Sequence, residues 1–326
     1  MTSSSYLLSI IITLYNSDDF IIACLQSLRP QLDRDIEVII INDGSTDGSE
    51  EKVLNYIKDH EHFKFISQEN QGVAHAKNTG LRNARGQYVT FLDSDDVVSR
   101  QYIQTLRPLL QSGKYDLVDF DYHKFDTSAP EDEPFDVVRQ TDYDIESNGI
   151  YSLLPVFEKS LWHMVTRVYR RNLLQGEYLE NGRRYEDVIF TPFQYFKTRK
   201  ITHLDHALYF YRDNSQGITR NIRPTDIEDM LFALKKMLSF VEQHRDDEPL
   251  RQLAALMLGN CFSEIRGMSK ALHGYYHYEQ ETLRTFKRLA DVCRNSGVPH
   301  KKIRQMQYAW IDTCVSKIRW QWIKRG

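Results

Sequence analysis

Short runs rich in β-branched, aromatic and aliphatic residues alternate with polar turns over the first two thirds of the chain. The runs that predict strands are 7–12, 36–41, 63–66, 88–92, 115–122 and 201–211. Segments with apolar side chains three and four residues apart separate the first four runs and predict helices. This alternation is typical of an α/β fold, with a mostly parallel sheet flanked by helices.

The pattern changes at Pro224, where helical periodicity replaces the alternation. The segments that show this periodicity are 225–243, 250–272, 276–295 and 301–322. We therefore predict an α/β domain over 1–223 and an all-α C-terminal domain over 224–326. Between the strands, the acidic, proline-containing stretch over 126–146 is predicted to be a solvated loop or hairpin.

A polar cluster follows each of four predicted strands. The clusters are Thr13 to Asn16, Asn42 to Asp47, Asn70 with Gln71, and Asp93 to Asp96. The C-terminal ends of parallel strands meet at one edge of a sheet, and ligands of open α/β folds bind there. Each cluster taken singly is also compatible with a turn that caps a helix. Four together predict a binding site.

The sequence Asp93-Ser94-Asp95-Asp96 brings three carboxylates to the end of one buried strand. Two carboxylates separated by one small residue can face the same divalent cation, which keeps waters and ligand phosphates as its other ligands. An Asp-rich turn before the next helix is the alternative interpretation. The motif G-x-G-x-x-G does not follow the first strand, and G-x-x-x-x-G-K-[ST] does not occur. A nucleotide at this edge would therefore be held through a metal.

Composition narrows the class of protein further. A net charge of −3 over 326 residues gives no reason to expect a nucleic-acid partner. The N-terminus lacks the features of a secretory signal. The cysteines, Cys24, Cys261, Cys293 and Cys314, have neither metal-ligand nor redox spacing and are expected to be buried thiols. We expect a cytoplasmic protein.

The last predicted helix is basic and rich in tryptophan. Its cations are Lys301, Lys302, Arg304, Lys317, Arg319, Lys324 and Arg325, interleaved with Trp310, Trp320 and Trp322. Such a helix can lie on an anionic membrane face, and contact through 301–325 is one interpretation. A packed terminal helix with a solvated basic side, or a contact that forms a homo-oligomer, are the others.

Together these motifs resemble the family 2 glycosyltransferases, inverting enzymes with the GT-A fold. The resemblance is carried by Ser9 to Asn16, Ile39 to Asp47, Asn70 to Gly72, Ala76 to Gly80, Gly86 to Asp96, Trp162, Tyr185 to Asp187 and Tyr209 to Arg212. It implies a hexosyltransferase that moves a sugar from a nucleotide-diphosphate donor, expected to be UDP-linked, to a hydroxyl of a saccharide or lipid-linked saccharide. It also implies a role in bacterial cell-surface polysaccharide assembly, peripherally at the inner face of the cytoplasmic membrane. The helical end beyond Pro224 is not covered.

The resemblance implies roles for residues on the donor side. The nucleotide-binding residues would be Thr13, Tyr15, Asp43, Asn70, Lys77, Asp93 and Ser94. Thr13 and Tyr15 would flank the base, and Asp43 would hydrogen-bond the uracil ring. Asp95, with Asp93, would bind the Mn²⁺ or Mg²⁺ that bridges the diphosphate. Lys77 stands where an arginine is commoner, which keeps the charge but loses the bidentate fork.

The resemblance also implies roles on the acceptor side. Asp187 matches the general base of the family, with Glu186 beside it. Trp162 would face the acceptor, and Arg212 with the loop to Thr219 would close over the diphosphate. A non-catalytic sugar-nucleotide-binding or scaffolding subunit is the alternative function, against which the presence of both Asp95 and Asp187 argues.

Overall fold

The computed structural model describes residues 6–128, 135, 137–214, 221–294 and 296–324. The chain divides into two compact units. The first comprises Met1–Glu146 and His163–Ser215, and the second comprises Ser147–Trp162 and Gln216–Gly326. The boundary near residue 223 stays a prediction.

A single mixed sheet of nine strands organises the described part of the first unit. The strands are β1 (Leu8–Leu14), β2 (Ile36–Asp43), β3 (Phe63–Gln68), β4 (Tyr88–Asp93), β5 (Val97–Val98), β6 (Leu117–Phe125), β7 (Gln140–Asp144), β8 (Arg167–Arg170) and β9 (Lys200–Arg212). Their order is β3-β2-β1-β4-β8-β6-β9-β5, and β7 pairs with β9. Strands β1 to β4 are mutually parallel, as is β6 with β9, whereas β5, β7 and β8 run antiparallel to their neighbours. The predicted fold class is confirmed.

The register of the central strands brings their polar C-terminal ends to one level. Strand β1 lies between β2 and β4, with Thr13 opposite Asp93. The next pair of strands places Asp43 opposite Gln68. The strands are mostly apolar and almost fully buried, as parallel strands at the centre of a sheet usually are. The edge that the sequence predicts is therefore formed.

Helices cover the sheet and build the second unit. They are α1 (Ile21–Leu28), α2 (Ser49–Ile57), α3 (Val73–Asn83), α4 (Tyr102–Gln111), α5 (Ile145–Asn148), α6 (Leu154–Lys159), α7 (Glu186–Tyr195), α8 (Pro224–Gln243), α9 (Glu248–His273), α10 (Gln280–Val292), α11 (His300–Gln307) and α12 (Ala309–Ile323). Short 3-10 turns occur at Arg29–Gln31, Ile150–Leu153, Met164–Thr166 and Arg171–Leu174. Where one final helix was predicted, Tyr308 separates α11 from α12. In the described chain, no helix has both the length and the apolar character that crossing a membrane requires.

Two further sequence predictions, on the acidic stretch and on the cysteines, have mixed outcomes. Within 126–146, the predicted loop or hairpin contains strand β7, whereas residues 129–134 and 136 lie outside the described part. The expectation that all four cysteines are buried is wrong for Cys314, which is exposed on α12. Cys314 follows the apolar pattern of its helix, but that side of the helix faces away from the core.

Candidate active site

The loops that follow β1 and β2 are joined by hydrogen bonds between side chains and backbone. Asn16 Oδ1 accepts from Thr46 N at 2.8 Å, and Asn16 N donates to Ser45 Oγ at 3.1 Å. Asp18 N donates to Asp47 Oδ2 at 3.1 Å. These bonds fix the first two polar clusters against one another, so the edge is a defined surface rather than a set of independent turns.

The Asp43 carboxylate is oriented by three donors. Its Oδ1 accepts from Gln68 Nε2 at 2.7 Å and from Gln71 N at 3.0 Å, and its Oδ2 accepts from Gly72 N at 2.8 Å. Gly72 has φ +88°, a left-handed conformation that favours glycine and turns the backbone toward Asp43. A carboxylate oxygen accepts up to two hydrogen bonds, so Oδ2 has capacity for another donor.

Three further side chains on this edge differ in exposure. Thr13 is partly buried at the end of β1, whereas Asn70 is exposed and the Tyr15 ring is 51% exposed. Gly44, at φ +72°, lets the loop after β3 approach, because a Cβ there would lie 2.8 Å from Asn70 N. The edge therefore presents an open aromatic ring and an open amide.

Ser94 and Asp96 hold the turn after β4 in place. The Ser94 hydroxyl is buried and lies 2.7 Å from Ser17 Oγ. Asp96 is 1% exposed, and it accepts from Tyr209 Oη at 2.5 Å and from Arg212 N at 2.6 Å. The two residues are bonded within the protein, while the carboxylate of Asp93 remains about a third exposed, at 35%.

Burial and neighbouring negative charge raise the pKa values of Asp95 and Asp96. Burial raises the pKa of Asp95, and the negative charge of Asp93 adds to the effect. Burial, followed by the charges of Asp95 and Asp93, raises the pKa of Asp96 well above its usual range. The pKa values of two of the three carboxylates are thus raised, and a bound divalent cation would lower them again. Its carboxylate oxygens are the ligands that Mg²⁺ and Mn²⁺ prefer, so the residues fit such an ion.

Lys77 connects the edge formed by the strand ends to the start of α7. Its ammonium lies 2.7 Å from Glu186 Oε1 and 3.7 Å from Asp93 Oδ1, and the side chain is 4% exposed. Burial on its own lowers the pKa of Lys77, but the charges of Asp93 and Glu186 outweigh it and raise that pKa above its usual value. Lys77 is therefore a permanent cation between two acidic groups.

Asp187 lies in the first turn of α7 beside His163. Its Oδ2 is 3.6 Å from His163 Nδ1, and its Oδ1 accepts from Val188 N at 2.8 Å. Tyr185, immediately before α7, is left-handed at φ +60° and so sets the direction in which the helix begins. Burial on its own raises the pKa of Asp187, but His163 and then Lys77 outweigh it and bring that pKa below its usual value.

His163 is a site residue that the sequence analysis missed. Its carbonyl accepts from Arg167 Nη1 at 2.5 Å, and its ring meets the Tyr122 ring at 5.1 Å between centroids. No motif marks it, and only the packing of the 3-10 turn at Met164–Thr166 brings it to Asp187.

Arg212, the last residue of β9, contacts the turn after β4. Its Nε donates to Asp95 O at 2.8 Å, and its guanidinium lies over the rings of Phe125 and Phe20, at 4.4 Å and 4.9 Å. Residues 215–220 lie outside the described chain, so the loop to Thr219 stays a prediction.

Trp162 belongs to the second unit. It is 5% exposed, and its ring lies 5.0 Å from that of Phe157. Its role toward an acceptor stays a prediction.

A second set of metal-ligand atoms lies on β6 and β9. His203 Nε2 is 3.6 Å from Asp121 Oδ1 and 3.4 Å from Asp205 Oδ1, and its Nδ1 contacts Asp119. The sequence did not indicate this group, because a register shift after Phe120 determines which side chains of β6 face β9.

Comparison with known proteins identifies the family of the chain. The profile of glycosyl transferase family 2 matches residues 9–173. Glycosyltransferase GlyG of Streptococcus pneumoniae is 30% identical over 66% of this chain and 74% of its own length. The uncharacterized glycosyltransferase EpsJ of Bacillus subtilis is 31% identical over 65% of this chain and 63% of its own length.

A solved structure shares the fold. TarS 1–349 of S. aureus, crystallised with UDP-GlcNAc, superposes with a TM-score of 0.68 at 20% identity, over 94% of this chain and 88% of that chain. The profile match and the relative GlyG confirm the predicted family and enzyme class, and the likeness to TarS confirms the predicted GT-A fold. The chain belongs to glycosyl transferase family 2 and is a hexosyltransferase-type glycosyltransferase.

Proposed function

We propose that the protein is an inverting glycosyltransferase that moves a sugar from a UDP-linked donor to a hydroxyl of a saccharide or lipid-linked saccharide. The contact of Lys77 with both Asp93 and Glu186 carries this proposal. This contact brings Asp93, one of the carboxylates suited to a metal-bound nucleotide diphosphate, next to the helix that bears Asp187. The reaction needs stabilisation of the departing diphosphate and a base for the acceptor at one place, and these residues would supply both.

The uridine half of the donor lies along the first two loops in this proposal. The exposed ring of Tyr15 stacks on the base, and Asp43 Oδ2 accepts the N–H of the uracil ring. Thr13 and Asn70 lie along the nucleotide. The name of the TarS structure, a complex with UDP-GlcNAc, supports a uridine donor for this chain.

The diphosphate is held at the end of β4. Asp95 and Asp93 would hold Mg²⁺ or Mn²⁺, which as a Lewis acid stabilises the charge on the departing phosphate oxygen. Lys77 and Arg212 add positive charge at the same place. At ~4 Å and an effective dielectric constant of ~20, one such charge pair contributes roughly 4 kcal/mol.

Asp187 acts as the general base. The acceptor oxygen forms its bond to the anomeric carbon while the bond from that carbon to the phosphate oxygen breaks, and the acceptor proton passes to Asp187. Its lowered pKa keeps the carboxylate ionised and ready to accept the proton. A single displacement of this kind inverts the anomeric configuration, and general-base catalysis contributes about 10²–10⁴-fold to its rate.

Calorimetric titration with UDP, in Mn²⁺, in Mg²⁺ and in EDTA, tests the donor site. We expect metal-dependent binding that Asp95→Asn abolishes and that the control Asp121→Asn retains. The reverse pattern would move the metal to Asp121, His203 and Asp205. Binding that is equal in EDTA would contradict a metal-held diphosphate.

An assay of sugar transfer from UDP-sugars tests the enzyme itself. Hydrolysis of one UDP-sugar by the purified chain would name the donor, and transfer to lipid-linked saccharides would name the acceptor class. Binding of UDP without transfer or hydrolysis of any UDP-sugar would instead favour the non-catalytic sugar-nucleotide-binding subunit.

A further inference from the structure

Helix α12 packs against its own unit through an unusually polar face. The inward residues, four apart along the helix, are Asp312, Ser316 and Trp320. Asp312 contacts Arg266, and Ser316 Oγ accepts from Tyr276 N at 3.0 Å. Of the fifteen residues of α12, all of which the structure describes, only Ala309 is buried.

The opposite face of α12 is apolar and exposed. We call it the outer stripe, and its members are Ile311, Val315, Ile318 and Trp322, which are 41%, 43%, 57% and 78% exposed. At 3.6 residues per turn, their spacing of four, three and four places them within about 60° of one another on the helix. A helix on a protein surface normally presents polar side chains to water and apolar ones to the core. In α12 four apolar side chains instead face solvent, so the outer stripe is a surface that a partner or a membrane would cover.

The charge of the segment around α12 indicates which kind of partner covers the outer stripe. Residues 300–326 contain seven lysines and arginines and a single acid, Asp312, although the whole chain has a net charge of −3. The cations that the structure shows to be exposed are Lys301, Arg304, Lys317, Arg319 and Lys324. The acid is turned inward onto Arg266. Lys324 Nζ lies 4.2 Å from the centre of the Trp320 ring and Lys317 Nζ lies 5.8 Å from that of Tyr275, so these two cations lie on the flank of α12 nearer its own unit, whereas Arg319 borders the outer stripe. The exposed surface of this segment is therefore basic on both flanks of an apolar stripe.

A second copy of the chain fits this surface poorly. A two-fold contact would bring the same basic segments of both copies together, and their like charges would repel. An anionic bilayer meets both requirements, because its headgroups pair with lysine and arginine while the acyl boundary accepts the apolar side chains. Tryptophan, which ends the outer stripe, is the side chain that favours the membrane–water boundary.

We propose that α12 is a membrane-surface helix that lies in the headgroup region of an anionic bilayer, with the outer stripe toward the acyl chains. The exposed cations around it contact lipid phosphates. This contact is independent of the catalytic proposal, because it uses no residue of the site.

Flotation of the full chain with lipid vesicles tests the proposal. Vesicles of phosphatidylcholine alone are compared with vesicles that also contain phosphatidylglycerol. One variant combines Ile318→Ser with Trp322→Ser, and another combines Lys317→Gln, Arg319→Gln and Lys324→Gln. Leu54→Ser is the matched control, because Leu54 is an aliphatic side chain 45% exposed on helix α2 of the other unit. Circular dichroism confirms that each variant is folded.

We expect the wild-type chain and Leu54→Ser to float with the anionic vesicles, and less so in high salt. Both α12 variants should bind at least tenfold more weakly, and tryptophan emission should shift to the blue on wild-type binding. The proposal is overturned if the wild-type chain stays with the soluble fraction, or if the stripe variant floats as well as the wild type. It is also overturned if light scattering shows a dimer that the stripe variant abolishes while vesicles are not bound, since a second copy would then cover the stripe.

Discussion

At the scale of single residues, Asp187 has two neighbours with distinct effects. His163 lies beside one carboxylate oxygen, and Lys77 acts from the side of Glu186. Replacement by asparagine keeps the shape and removes the basicity. We expect Asp187→Asn to lower the transfer rate about 10²–10⁴-fold, with little change in UDP affinity by calorimetry.

Glu186→Gln is the comparison for this substitution. It removes the partner of Lys77 but leaves the base, so donor affinity should change more than in Asp187→Asn. If Asp187→Asn retains full activity, the base lies elsewhere, and Glu186 is the first residue to examine.

The pH dependence of transfer reports the contact with His163. A base acts when it is ionised, and the pKa of Asp187 lies below its usual value because His163 and Lys77 outweigh the effect of burial. In His163→Gln one of these influences is lost, so the pKa of Asp187 rises and the acidic limb of kcat/KM moves to higher pH. His206→Gln, the same change at a histidine stacked on Phe135, should leave the limb in place. An unshifted limb in His163→Gln would show that the histidine does not act on the base.

Sequence reasoning could name residues that sit in motifs, such as Asp95, Lys77 and Asp187. It could not find His163 or the pair of Asp119 and His203. These contacts join parts of the chain whose separation carries no local signal, so only tertiary packing reveals them.

At the scale of secondary structure, we expect alanine at Gly86 and alanine at Gly267 to change the free energy of unfolding in opposite directions. A Cβ on Gly86 would lie 2.6 Å from Ser9 N and 2.7 Å from Tyr88 O, both backbone atoms that cannot rotate away. Gly267 is exposed in the middle of α9, where a Cβ would meet nothing within 4 Å. We expect Gly86→Ala to lower the free energy of unfolding by about 1–3 kcal/mol and Gly267→Ala to raise it by about 0.5–1 kcal/mol.

Urea denaturation of both glycine variants beside the wild type measures these changes. Equal stability of Gly86→Ala and wild type would mean that β1 and β4 can separate without cost.

The longer apolar strands and the periodic helices could be predicted because their patterns are strong. Strand β8, with the sequence Arg167-Val-Tyr-Arg170, gives no such pattern, and its buried Arg167 is stabilised by Tyr195 rather than by solvent. The break at Tyr308 carries neither glycine nor proline, so helical periodicity runs through it. Contacts with other parts of the chain determine that β8 forms a strand and that the helix is interrupted at Tyr308.

At the scale of the whole molecule, the thiols differ in access to solvent. Cys24, Cys261 and Cys293 are buried, whereas Cys314 is exposed. Burial raises the pKa of Cys261 and of Cys293 to about 12, so these thiols are also poorly ionised. We expect Ellman's reagent to modify one thiol quickly in the native chain and all four in guanidinium.

Cys314→Ser should remove the fast phase of this reaction and leave the slow phase unchanged. A second fast thiol in the native chain would mean that one of the buried cysteines becomes accessible through local opening.

The change of periodicity at Pro224 predicts two domains that meet near residue 223, and this division stays a prediction. The grouping of Ser147–Trp162 with the helical unit was not visible, because a boundary drawn on the sequence keeps neighbouring residues together. The membrane proposal likewise needed the structure as well as the sequence. Composition made the last helix basic and rich in tryptophan, but only the structure shows which of its faces points outward.

The position of Lys77 has a consequence for the order in which substrates bind. Its ammonium is shared between Glu186 and Asp93, and a diphosphate arriving beside Asp93 competes for it with a larger negative charge. We expect Glu186 to be released when the diphosphate binds, and the acceptor to bind productively only after the donor. In steady-state kinetics, a dead-end acceptor analogue should therefore inhibit uncompetitively with respect to the nucleotide sugar, and Lys77→Met should lose this ordered pattern.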